Sequence, residues 1–225
     1  MSPWFTKIIH REPRRSQSTK EIIHAREIRT ETAARNRIEI PFVVKYVREP
    51  IEKVLSWRNA SNELAAMGVP VVKFEEIKET SRGVYVKQRD YSASLKREIF
   101  EASEMSRIDP KLMMDIVTDM AKMHSRGYIT KAGEYLLTPW LVYKTPRGEL
   151  ERVLVDFGSL SKHDSQEYTH NGKRRSRSET DFSYLLPKLQ GYDRPATQKI
   201  LERYFSINPN PVLKSMASSF FGYNF

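Results

Sequence analysis

Between Asp109-Pro110 and Gly127 the sequence allows little besides a single helix packed along a broad apolar face. Asp109 is a side-chain acceptor suited to a helix N-cap, and Pro110 fits the first helical position. Leu112, Met113, Ile116, Val117, Met120 and Met123 then recur at helical spacing, and Gly127 closes the run. The methionines read as core filler, because their flexible thioethers fit irregular gaps. Such a face must be buried against other elements, so the chain that carries it is folded. Its 39% hydrophobic and 11% aromatic content is enough for that core. At 225 residues there is room for one generous domain or two small lobes sharing a cleft.

Upstream of this helix the pattern changes from helical to extended. Residues 39–48, EIPFVVKYVR, form a β-branched and aromatic run that predicts a buried strand ended by Pro50. A helix is expected over 52–67, with Gly68 at its C-terminal cap and Pro70 as the break. VPVVKFEEI and GVYVKQRDY predict two strands joined across the Glu79–Gly83 turn. Before all of these, residues 1–38 are polar and basic. Ile22, Ile23, Ala25 and Ile28 trace a weak helical pattern there, with Ser18 as cap and Glu21 at the capping-box position. This stretch reads as a basic arm or helix.

Further helices are expected over 93–106, 180–190 and 194–206, with short strands at Tyr135–Leu137, Leu141–Tyr143 and Val153–Val155. Residues 161–180 read as a polar loop, and the aromatic tail 208–225 as partly ordered. The expected fold class is α+β, with a small β-rich lobe over 39–92 and a mostly helical lobe over 93–207.

The chain has no cysteine, which excludes disulfides, thiolate metal sites and cysteine nucleophiles. The N-terminus lacks a signal-peptide apolar core, and no run of about 18 apolar residues occurs. A soluble, cytoplasmic protein without a membrane span is expected. The formal charge of +10 suits an anionic partner such as RNA, a phosphate-rich ligand or an acidic protein surface; a solubilising surface is the plainer alternative.

The chemistry-bearing residues fall in a definite order. Lys45 lies inside the apolar strand, where an unpaired ammonium would be costly and an anionic partner is expected, unless the strand is an edge strand with Lys45 pointing outward. Glu63 follows eighteen residues on, in the next helix. The central helix ends in Met120-Ala-Lys-Met-His124-Ser-Arg-Gly127. Arg152-Val-Leu-Val then leads into Asp156-Phe157-Gly158, where an aspartate at a strand end suits Mg²⁺ on ATP phosphates, or merely an Asx-turn. Asp181 follows in SETDFSYLL.

Taken together, these features resemble the protein-kinase-like superfamily over residues 40–205. The compact size and the Gly68-Val-Pro-Val-Val-Lys-Phe step are most similar to its small atypical branch, which includes the RIO kinases, the kinase of the KEOPS complex and the lipopolysaccharide-core sugar kinases. The resemblance implies a bilobal fold with ATP and Mg²⁺ as cofactors. Lys45 and Glu63 would serve the nucleotide, Asp156 the metal, and Asp181 would brace the catalytic loop. His124 reads as a packing and hydrogen-bonding residue and Gly158 as structural.

Two elements of the pattern are missing. The catalytic aspartate position holds Ala132, within Thr130-Lys131-Ala132, and no aspartate occurs between Asp119 and Asp156. No asparagine occurs between Asn62 and Asn171, so the second metal ligand is missing as well. Glu134 is the sole carboxylate near the loop and the candidate substitute base, with Lys131 able to stabilise charge. No glycine precedes Lys45, so there is no glycine-rich phosphate loop.

The expected function is therefore a pseudokinase acting as a binding or regulatory module, still able to bind ATP, with a protein partner and RNA or another anion as a further candidate. Two alternatives stay open. One is an active atypical phosphotransferase using Glu134. The other is a basic nucleic-acid-binding protein whose contacts are Lys173, Arg174, Arg175, Arg177 and the N-terminal arginines, with Tyr168 available for stacking. Lys173–Arg177 also reads as a solvated loop, in which Ser176 and Ser178 match basophilic phosphoacceptor motifs.

Overall fold

A computed structural model describes residues 4–12, 19–30, 37–89, 91, 99–101, 108–130, 136–137, 139–145, 147–162, 167–170 and 173–223. Over 4–41 (Ile23 apart), 99–101, 167–178 and 180, it describes the backbone alone. The chain divides into two compact units. The first comprises residues 1–63 and 71–99, and the second residues 64–70 and 100–225. Helices and antiparallel strands are both present, in keeping with a mixed α+β class. Among the described residues no helix is long and apolar enough to cross a membrane.

The first unit is built on a five-stranded antiparallel sheet in the order β1-β2-β3-β5-β4. Its strands are β1 (Trp4–Glu12), β2 (Thr19–Thr30), β3 (Arg37–Val47), β4 (Phe74–Thr80) and β5 (Gly83–Arg89). The β4–β5 hairpin forms where the sequence expects it, with Thr80 opposite Gly83. Residues 19–30 correct the expectation of a helical arm: they form β2, paired with β1 on one side and β3 on the other. Ile22, Ile23 and Ile28 fit a strand as well as a helix face, and two long ladders outweigh a weak local periodicity.

Alternation along β3 and its register with β5 sort the side chains onto two faces. Lys45 lies opposite Val86, Val43 opposite Gln88 and Val47 opposite Val84, so Lys45 shares the face of buried Val47, Val84 and Val86. Phe42, Val44 and Tyr46 occupy the other face with Ile23 and Tyr85.

Helix α1 (Ile51–Ala66) follows β3. It ends in a two-bond cap: the Gly68 amide donates to the Ala65 carbonyl at 2.9 Å and the Val69 amide to the Leu64 carbonyl at 3.0 Å. Gly68 sits at φ 72°, the left-handed conformation this cap requires. Buried Leu64 and Val69 supply the apolar contact that accompanies it.

The second unit is organised around α2 (Pro110–Ser125). Asp109 caps this helix, its Oδ1 accepting from the Lys111 and Leu112 amides. Leu112, Met113, Ile116, Val117, Met120 and Met123 are all at most 3% exposed. Two strands, β6 (Ile99–Glu101) and β7 (Tyr128–Thr130), flank the helix in sequence. The hairpin β8 (Trp140–Lys144) and β9 (Leu150–Leu154) follows, and β6, β8 and β9 form one sheet in that order. The expected helix over 93–106 is corrected by β6; the rest of that stretch lies outside the described residues. Leu136 and Leu137, expected in a strand, form a turn.

The presumed loop 161–180 is likewise corrected. It holds the end of β10 (Leu160–Lys162), then β11 (Glu167–His170), β12 (Lys173–Ser176) and the start of α3 (Arg177–Leu189). β11 and β12 form an antiparallel ladder whose backbone bonds were not apparent from the polar side chains. Lys173, Arg174 and Arg175 therefore belong to a strand and Arg177 opens a helix. Helices α4 (Arg194–Ile207) and α5 (Pro211–Phe221) complete the unit, so the aromatic tail is mainly helical. Phe182, Leu185, Leu189, Leu201, Tyr204 and Leu213 are fully buried among these helices.

Candidate functional site

Four elements of the second unit converge on one buried polar chain. His124 is on the last turn of α2, Thr130 ends β7, Asp181 is on α3, and Tyr204 is on α4. Asp181 is 2% exposed, and its Oδ2 accepts the Thr130 amide at 2.6 Å. His124 Nε2 lies 3.4 Å from the same oxygen, and its Nδ1 lies 2.6 Å from the Tyr204 hydroxyl. A carboxylate only accepts, so the tautomer with its proton on Nε2 satisfies both contacts. Tyr204 then donates to Nδ1 and accepts from Asn208 Nδ2 at 3.0 Å. Burial pushes the Tyr204 phenol far above its ordinary value, keeping it a neutral donor.

The donors run in one direction, from Asn208 through Tyr204 and His124 to Asp181, and Thr130 closes the chain from the other side. Every hydrogen bond here spans elements distant in sequence except the Tyr204–Asn208 step. The chain fixes the backbone at Thr130.

A backbone ladder brings the aspartate turn to the same place. β7 and β10 pair antiparallel, with Thr130 opposite Leu160, Ile129 opposite Ser161 and Tyr128 opposite Lys162. Just before Leu160, a 3₁₀ turn covers Phe157–Ser159 and Asp156 caps it. Asp156 Oδ1 accepts the Gly158 amide at 3.0 Å, and the Asp156 carbonyl accepts the Ser159 hydroxyl at 2.9 Å. Phe157 is buried, whereas Asp156 is exposed. The Asx-turn is thus present, and it commits one carboxylate oxygen only.

The strand leading to Asp156 is fastened to α2 by charge. Arg152 directs Nε and Nη2 onto Oδ2 of the fully buried Asp119, at 2.8 and 2.7 Å, and Nη1 lies 3.4 Å from Asp115. Asp119 Oδ1 has Lys122 Nζ at 3.7 Å. Burial raises the Asp119 carboxyl above its ordinary range, with Arg152 and Lys122 opposing that shift.

Lys45 is half-buried on β3 of the first unit, and Glu63 is half-buried on α1. Glu134 and Lys131 lie outside the described residues. Lys173, Arg174, Arg175 and Arg177 are placed by backbone only. Among the described residues no group of three His, Asp or Glu side chains forms a metal cage. Sequence reasoning missed Tyr204 and Asn208, which bear no motif, and the pairing of Arg152 with Asp119.

No protein-family model matches the chain, and comparison with curated proteins yields no match.

Proposed function

We propose that this chain is a kinase-like protein without the catalytic-loop aspartate and asparagine, acting as a nucleotide-binding regulatory module. The observation that carries the proposal is the Thr130 amide bound to Asp181, next to the β7–β10 ladder. That arrangement fixes Thr130, which residues 131–135 follow in sequence, on the strand paired with β10, and β10 in turn follows the Asp156 turn. A phosphoryl-transfer centre needs those two segments together, one for the attacking hydroxyl and one for the metal. The conjunction supports a kinase-derived site more than an isolated Asp-Phe-Gly tripeptide does.

The residues fit a phosphate-borne Mg²⁺ better than a protein-caged one. Asp156 offers one carboxylate with Oδ1 already turned to Gly158, and no further cage is found among the described residues. Mg²⁺ accepts this, since one carboxylate with phosphate oxygens and waters completes its shell. In this reading Asp156 holds the metal, and Lys45 and Glu63 retain the roles that the resemblance gives them. The bound ion would neutralise phosphate charge. With Ala132 at the base position, the chain's own residues bind and orient without removing a proton from an attacking hydroxyl.

Titration calorimetry with ATP, with and without Mg²⁺, tests the proposal on the wild type and on Lys45→Ala and Asp156→Ala. Mg²⁺-dependent binding that both substitutions abolish is the expected result; absence of binding by the wild type overturns it. Phosphate transfer from labelled ATP that disappears in Glu134→Ala would replace the module with an active phosphotransferase.

A further inference from the structure

Two tyrosines face each other across β3 and β5 on the sheet face opposite Lys45. Tyr46 and Tyr85 are register partners, their rings edge-on with centroids 5.9 Å apart. Each ring carries a cation from a neighbouring strand or turn. The Arg82 guanidinium lies 4.5 Å above the Tyr46 ring, and the Lys78 ammonium lies 4.5 Å above that of Tyr85. Further along the face, Lys87 lies 4.6 Å above buried Phe42. Both tyrosines are half-buried while Lys78 and Arg82 are exposed, so this end of the sheet meets solvent.

The local charges are mixed, and Glu21 is the register partner of Tyr46 on β2. Lys78 pairs with Glu76 at 2.8 Å, and Lys87 with Glu75 at 3.4 Å. Arg82 and Arg89 are exposed at the two ends of β5, and Arg82 has a further partner besides the Tyr46 ring. A cation resting on an aromatic face is held by about 0.5–1 kcal/mol at an exposed site, and an exposed ion pair such as Lys78–Glu76 adds about 0–1 kcal/mol, so such a cation is exchanged at modest cost. An anionic ligand that also brings flat rings can replace both partners at once. Its phosphate takes the displaced cation, and its base takes the vacated ring face.

We propose that the Tyr46–Tyr85 face is a docking platform for single-stranded nucleic acid. The bases stack on the two tyrosines, and Arg82 and Lys78 swing onto the intervening phosphates. A base paired in a duplex keeps its faces stacked on its neighbours, whereas a single strand can present them. An acidic peptide could meet the cations but has nothing to exchange for them on the rings. This inference rests on the ring–cation geometry alone, and it stands apart from the nucleotide reading.

Fluorescence anisotropy with a short labelled oligouridylate and its thymidylate counterpart tests it on the full chain. Binding should weaken by about tenfold or more in Tyr46→Leu and in Tyr85→Leu, and should persist in Tyr46→Phe and Tyr85→Phe, which keep the ring. Arg82→Ala should weaken binding to both oligonucleotides and lower the slope of log affinity against log salt by about one. Equal melting temperatures of the Leu and Phe variants keep a folding defect from imitating the effect. Three results would overturn the platform: no binding at low salt, equal affinity of the Leu and Phe variants, or polyglutamate competing as well as unlabelled oligouridylate.

Discussion

Arg152 closes on Asp119 with two nitrogens directed at one oxygen, Nε at 2.8 Å and Nη2 at 2.7 Å from Oδ2. This contact ties the strand before Asp156 to the central helix. Asp119 is fully buried, so removing Arg152 would leave its carboxylate with the more distant Lys122 as compensation. Arg152→Ala should cost about 3 kcal/mol, measured by urea unfolding. The double substitution Asp119→Leu, Arg152→Met should recover most of that loss, because a buried pair contributes little beyond what well-packed apolar groups supply. Equal stability of Arg152→Ala and wild type would show that the pair carries no weight.

The same carboxyl sets a pH dependence. Burial raises the Asp119 pKa from its ordinary 3.8, so the native state keeps this proton to higher pH than the unfolded chain does. The contribution of Asp119 to stability is thus greatest below that ordinary value and falls as pH rises through the raised one. Across melts from below pH 4 to neutrality, the wild type should lose stability relative to Asp119→Asn. A difference that moves the opposite way with pH would contradict the raised value.

Asp181→Ala would strip the Thr130 amide of its buried acceptor, at a cost of about 1–3 kcal/mol. Asp181→Asn keeps an acceptor oxygen and should lose less. Hydrogen exchange at Thr130 separates the local effect from a global one: in Asp181→Ala that amide should exchange faster even when compared at equal overall stability. Unchanged protection would mean that β10 alone holds the strand.

Tyr204→Phe removes one hydroxyl that serves two partners, Asn208 and His124. A loss of about 1–2 kcal/mol is expected in thermal unfolding. The His124 ring nitrogens should also change their chemical shifts, because Nδ1 loses its donor. Unaltered shifts would show that the tautomer is set elsewhere.

Gly68→Ala should destabilise by about 1 kcal/mol or more, since Gly68 sits at φ 72°, while the added Cβ would make only an ordinary contact with Lys122 Nζ at 3.5 Å. That ammonium donates to the Gly68 carbonyl. Gly191→Ala provides the contrast. Its Cβ would meet nothing within 4 Å, and its melting temperature should match that of wild type closely.

Much of this architecture could be read directly from local chemistry. Helix α2 was visible because cap, periodicity and closing glycine agree, and the α1 terminus because Gly68 and Pro70 punctuate it. Strand β2 was not, because Ile22 and Ile23 suit either period and the deciding ladders belong to other segments. The polar face of β11 and β12 hid a backbone pairing for the same reason. Within the buried polar chain, Asp181 and His124 stood out through their setting. Tyr204 did not: it lies 80 residues from the histidine it contacts, and a single sequence carries no record of that meeting.

What Asp181 grips at residue 130 is an amide, a group that every amino acid except proline presents. The anchor is therefore indifferent to hydrogen-bonding chemistry in the side chains that follow. Residues 131–135 can exchange polar groups over evolutionary time without disturbing the point from which the chain departs.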